Sequence, residues 1–124
     1  MLRALRGAIT VSEDASESIL SATRELLNEL TEANNLQPSW IISAFFTATP
    51  DLRSEFPAAA ARQLGWHSVP MLDAVEIDKP GAMPRCVRVL LHVDFPPGAA
   101  DPVHIYLREA AGLRPDLAGK RHDS

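Results

Sequence analysis

The chain has 124 residues, 46% of them hydrophobic, and a formal net charge of −4, which suits one domain with a true core. The acidic balance and the lack of a basic run exclude a general nucleic-acid binder, and no stretch approaches the length that spans a bilayer. A single cysteine, Cys86, excludes an internal disulfide and any multi-cysteine metal site.

In chain order, Leu2 to Val11 is expected to be a strand. Asp14-Ala15-Ser16-Glu17 has the form of a capping box, with Asp14 capping and Glu17 reaching back. Ile19, Thr23, Leu26, Leu27, Leu30 and Ala33 then recur at helical spacing, and Asn34-Asn35 ends the helix. Trp40 to Thr47, rich in branched and aromatic residues, predicts a buried strand. Pro50-Asp51-Leu52 turns the chain, and Phe56-Pro57-Ala58 opens a short alanine-rich helix with proline at its first position. Val69 to Leu72 predicts a short strand, Pro80 to Pro84 a loop, and Cys86 to Val93 a long strand. After the turn Phe95-Pro96-Pro97-Gly98 come a strand at Val103 to Leu107 and a short helix at about Arg108 to Leu113. The sum is a mixed α/β (α+β) domain over residues 1–117, with a flexible tail at 118–124.

Arg88 carries the most information. It interrupts the apolar run Cys86-Val87-Arg88-Val89-Leu90-Leu91, and alternation puts it on a face with Cys86, Leu90 and His92, opposite Val87, Val89, Leu91 and Val93. A guanidinium keeps its charge, so it needs water or an anion there. Arg6 lies in a comparable strand. The pair reads either as an anion clamp or as two arginines snorkelling to solvent. Glu76, flanked by Val75 and Ile77, either accepts from a ligand hydroxyl or points to water. Tyr106 combines an apolar ring with a polar tip that can reach a carboxylate.

His67, His92, His104 and His122 lack metal-ligand spacing, so no metal is expected. Cys86 reads as a buried strand residue rather than a nucleophile. No glycine-rich phosphate loop, nucleophile elbow or dinucleotide fingerprint is present. An enzyme without these parts uses no covalent step and no cofactor, only positioning and fixed charge. One long helix screens only part of a five-stranded sheet, so oligomerisation through the other face is expected.

These residues together resemble the small trimeric chorismate mutases of the AroH type. The likeness runs from Leu5-Arg6-Gly7-Ala8-Ile9-Thr10-Val11 through Thr47-Ala48-Thr49-Pro50-Asp51-Leu52, Phe56-Pro57-Ala58, Val69-Pro70, Glu76, Cys86-Val87-Arg88-Val89 and His104-Ile105-Tyr106-Leu107 to Leu113-Arg114-Pro115-Asp116-Leu117. The resemblance implies a homotrimer of mixed α/β subunits around a pseudo-barrel, with active sites between subunits. It also implies the rearrangement of chorismate to prephenate on the way to phenylalanine and tyrosine. Arg88, Glu76 and Arg6 then correspond to catalytic residues, and Tyr106 and the segment Leu72, Asp73, Ala74, Val75, Glu76 to substrate-binding ones. Phe56 and Arg62 correspond to residues that enter from the neighbouring subunit, and Arg114 to one near the C-terminal end. No cofactor, nucleic acid or membrane is implied, and a cytoplasmic protein is expected.

Two positions depart from the family pattern. Some relatives carry a charged residue where Ala59 stands, and cysteine or serine where Asp73 stands. An acid at position 73 opposes a dianionic substrate unless it turns away or pairs with an arginine. The alternative function is a non-catalytic oligomeric sensor of a small anionic metabolite.

Overall fold

The apolar stripe forms the helix it predicts. In a computed structural model, which describes residues 1–113, α1 (Ser16–Asn34) buries Ile19, Leu20, Ala22, Thr23, Leu26, Leu27 and Leu30. Its start corrects the expected capping box. Ala15 is the N-cap and makes no side-chain capping bond, because the Asp14 carboxylate accepts from the backbone N–H groups of Arg53 and Ser54 at 2.9 and 3.0 Å. These donors hold the Asp14 carboxyl below its usual range. The helix ends as expected, with Asn35 in the left-handed region at φ 49°. Asn34 also clamps Val103, donating to its carbonyl at 2.9 Å and accepting from its N–H at 2.8 Å.

Five strands form one mixed sheet: β1 (Leu2–Thr10), β2 (Ile41–Ala48), β3 (Met71–Val75), β4 (Cys86–Asp94) and β5 (Ile105–Leu107), in the order β3-β2-β4-β1-β5. β4 runs antiparallel to both β1 and β2, while β3 and β5 lie parallel on the flanks. The short helix α2 (Ala58–Gln63) starts one residue after Pro57. Residues 108–112 form a 3-10 turn where a short helix was expected.

Alternation sorts β4 as its pattern predicts. Val87, Val89, Leu91 and Val93 are buried with α1 in the main core, whereas Arg88, Leu90 and His92 face outward. Gly7 lets β1 pass close under α1: a Cβ there would stand 3.0 Å from Leu30 Cδ1 and 3.1 Å from Leu26 Cδ1. A register shift between Ile41 and Ser43 inserts Ile42 as an extra residue in β2. Ile41 and Ala44 therefore both reach the core.

β2 was expected to be a buried strand, and in the single chain its burial is confined to one face. Ala44 and Phe46 are buried, but Phe45 is 40% exposed and Ile42 54%. Ile41, Ala44 and Phe46 line the core face of β2, while Phe45 shares the outward face with Ser43 and Thr47. Leu72, Val75 and Ile77 extend the apolar exposure along β3 and beyond.

Candidate active site

The strand register brings the chemistry-bearing residues of the strands to two adjacent outward rungs. Arg88 on β4 pairs with Ala8 of β1 on one side and Thr47 of β2 on the other. Tyr106 of β5 lies beside Ala8, and Ala74 of β3 beside Thr47. The adjacent rung holds Arg6, Leu90, Phe45 and Leu72.

The loop joining β2 to the next element is tied to β4 and helps to hold this register. Thr49 Oγ1 accepts from the Cys86 N–H at 3.0 Å and donates to Asp51 Oδ1 at 2.5 Å. The Asp51 carboxylate also takes the Arg85 N–H. Part of the Thr49-Pro50-Asp51 motif is thus structural.

A cleft of about 520 Å³ opens over these rungs, and Arg6, Phe45, Thr47, Arg88, Leu90, Tyr106 and Leu113 are among its lining residues. Its size is that of a small-molecule site. The Arg6 side chain is exposed, while its backbone N–H is fixed to His104 Nδ1 at 3.0 Å. Tyr106 is buried against Ala8, Cys86 and Ala110. Burial pushes the Cys86 thiol up to about 11, which makes it a packing residue rather than a nucleophile.

Glu76 lies just past β3 and reaches back across β2. Its N–H still donates to the Ala48 carbonyl at 2.9 Å, so the strand pairing runs one residue further and holds Glu76 in phase with Leu72 and Ala74. Glu76 Oε2 accepts from Thr47 Oγ1 at 2.6 Å and lies 3.1 Å from Arg88 Nε. The two contacts differ in kind. Arg88 Nε is buried yet lacks an aligned hydrogen bond, so its contact with Glu76 is electrostatic, whereas the Thr47 contact has hydrogen-bond alignment.

The remaining candidates lie elsewhere. Phe56, Asp73, Ala74 and Val75 border a second cleft of about 530 Å³, together with Leu52 and Glu55. Alternation turns Asp73 away from Arg88's face, into register with the core residue Phe46. Its carboxylate accepts from the Ala58 N–H at 3.0 Å, at the start of α2. Burial pushes the Asp73 carboxyl up, opposed by that bond and by Arg62, with Glu55 adding to the rise. Arg62 is exposed on α2, Leu72 is exposed beside Phe45, and Arg114 falls outside the described residues.

Thr47, Phe45, Leu90 and Leu113 were not singled out by their chemistry. For Thr47 the available signal was its place at the head of Thr47-Ala48-Thr49-Pro50-Asp51-Leu52. Among the described residues no cluster of His, Cys, Asp and Glu is arranged to hold a metal ion.

The chain's relatives agree on one chemistry. A family model for chorismate mutase type I matches residues 2–117. The chain is 52% identical over 120 residues to a chorismate mutase AroH of Thermus thermophilus, covering 94% of this chain and 97% of that protein. It is 40% identical over 119 residues to a chorismate mutase AroH of Bacillus subtilis, covering 95% and 94%. In structure it resembles a chorismate mutase from Clostridium thermocellum with a TM-score of 0.86, at 43% identity, over 90% of this chain and 99% of that one.

Proposed function

The chain belongs to the type I chorismate mutases, and on that premise we propose that the Arg88 cleft rearranges chorismate to prephenate, a step toward phenylalanine and tyrosine. The observation that carries this reading is the guanidinium of Arg88, held on a central strand against Glu76 at 3.1 Å, in one cleft with Arg6 and Tyr106.

Chorismate carries two carboxylates and an enolpyruvyl ether. Its ether C–O bond breaks while a C–C bond forms within the same molecule, so no proton, nucleophile or redox partner is consumed. The free substrate prefers a conformer with the reacting ends apart. The protein's task is to hold the compact conformer and to stabilise negative charge growing on the ether oxygen. Arg88 donates to that oxygen and to a nearby carboxylate, for which its planar, permanently charged fork is better suited than an ammonium. Arg6 and Tyr106 fix the side-chain carboxylate, and Glu76 accepts from the ring hydroxyl.

The working assembly is a homotrimer, with Phe56 and Arg62 of one copy entering the Arg88 cleft of the next. Two observations support this. The outward sheet face exposes Phe45 and Leu72, and Phe56 is 65% exposed at the second cleft. The charges also need a second copy: Arg6 and Arg88, offset by Glu76, leave one positive charge for a dianion, and Arg62 supplies another. Arg114 is assigned to the same site. The family match over residues 2–117 supports one domain over 1–117, and the tail expected at 118–124 lies outside the described residues. A cytoplasmic location accords with a helix set in which, among the described residues, none is long and apolar enough to cross a membrane.

Incubating purified protein with chorismate and following its diene absorbance tests the activity. Loss of that absorbance with formation of prephenate is expected. Saturable binding with chorismate left intact would replace the enzyme by a metabolite sensor.

A further inference from the structure

Glu76 and Arg88 belong to strand lines two apart in the sheet, roughly 9–10 Å at ordinary strand spacing. The strand between them is β2, and the β2 residue in register with Arg88 is Thr47. Glu76 closes the gap by leaning over Thr47, whose hydroxyl donates to Oε2 at 2.6 Å. Since Arg88 Nε meets the same oxygen without hydrogen-bond alignment, the bond from Thr47 is what fixes the direction of the carboxylate.

We infer that Thr47 is a positioning residue for the reaction: it orients Glu76 so that Oε2 faces Arg88 and Oε1 stays available to a ligand hydroxyl. The inference rests on the reading that this cleft rearranges chorismate. Within the trio, Glu76 and Arg88 are both long and flexible, and the ion pair between them leaves rotation of the carboxylate open. Thr47 is the stiff member, because branching at Cβ restricts its χ1 and β2 is an interior strand. A hydroxyl on a stiff, short side chain thus sets the position of a long carboxylate, and the carboxylate in turn restrains the guanidinium.

The test is steady-state turnover of chorismate by the full chain and its variants. Thr47→Val keeps shape and strand propensity but removes the donor. The expected fall in kcat/KM is about tenfold, the size of one hydrogen bond to a charged group. Thr47→Ser restores the donor and recovers most of the loss. In a Glu76→Ala background, Thr47→Val changes kcat/KM by no more than about twofold, because the group it orients is gone. An active wild type with an equally active Thr47→Val overturns the inference alone. So does the same tenfold loss in the Glu76→Ala background, which would mark Thr47 as a packing residue. A wild type that leaves chorismate intact removes the catalytic reading and this inference together.

Discussion

The two clefts of this chain are nearly equal in size, about 520 and 530 Å³, and unequal in chemistry. The first has its cations on strands: Arg6 and Arg88 rise from β1 and β4, with Tyr106 on β5 and Thr47 on β2. The second is built mostly from the loop before α2 and the edge of β3. It holds Leu52, Phe56 and Val75 with the acids Glu55 and Asp73 and one cation, Arg53. A sheet fixes charge in position, whereas the loop edge offers an exposed aromatic and one guanidinium set against two carboxylates. Size does not choose between them. The balance of charge favours a dianion in the first, and in the proposed trimer the second is the wall that another copy supplies.

The sharpest way to break this contrast is Arg88→Ala. Losing a placed donor to a developing oxyanion costs about 3–4 kcal/mol of barrier, so kcat is expected to fall by roughly 10²–10³-fold with much smaller change in KM. Arg88→Lys should recover little, since an ammonium cannot reproduce the fork. Steady-state kinetics decides it, and a variant retaining most of its turnover would return Arg88 to the status of a solvated strand residue.

A mixing experiment probes the second cleft. Arg88→Ala damages the strand half of a site and Arg62→Ala the edge half. If each site takes its halves from different copies, trimers formed from an equal mixture regain intact sites at about a quarter of the positions. Activity of the co-refolded mixture above that of either variant alone is the expected result. Additive activity, with no gain, would mean that both halves come from one chain.

How far these clefts could be read from the sequence depended on the range of the interactions. Period two along Cys86 to Val93 fixed which residues of β4 face the core, and period 3.6 fixed the buried stripe of α1. Both signals are local. The capping box failed because Asp14 found donors at Arg53 and Ser54, about 40 residues away, and a tertiary partner outweighed a local rule. Thr47 stayed hidden for a similar reason. A threonine in a strand is ordinary, and its alignment with Arg88 depends on the extra residue at Ile42, which no periodicity announces. The segment Leu72 to Glu76 resembled one continuous substrate-lining stretch. Alternation divides it, sending Leu72, Ala74 and Glu76 toward Arg88's face and Asp73 the other way.

That division makes Asp73 the mildest test of the comparison. Burial raises its carboxyl above the ordinary 3.8, so the folded chain binds this proton more tightly than the unfolded chain. The sign follows directly: stability falls as pH rises from about 3.8 through the raised value, and the penalty is constant above it. Asp73→Asn removes the charge while its side-chain carbonyl can still accept from Ala58. Its Tm is therefore expected to exceed that of the wild type at pH 7, by a margin that closes as pH drops below 3.8. The same change frees Arg62 from a nearby negative charge, so KM for chorismate should fall slightly at pH 7 if Arg62 serves a neighbour's cleft. A variant less stable than wild type at pH 7, with the gap closing in acid, would show that attraction to Arg62 outweighs burial. In that case the second cleft holds its acid for stability, and Arg62 is occupied within its own chain.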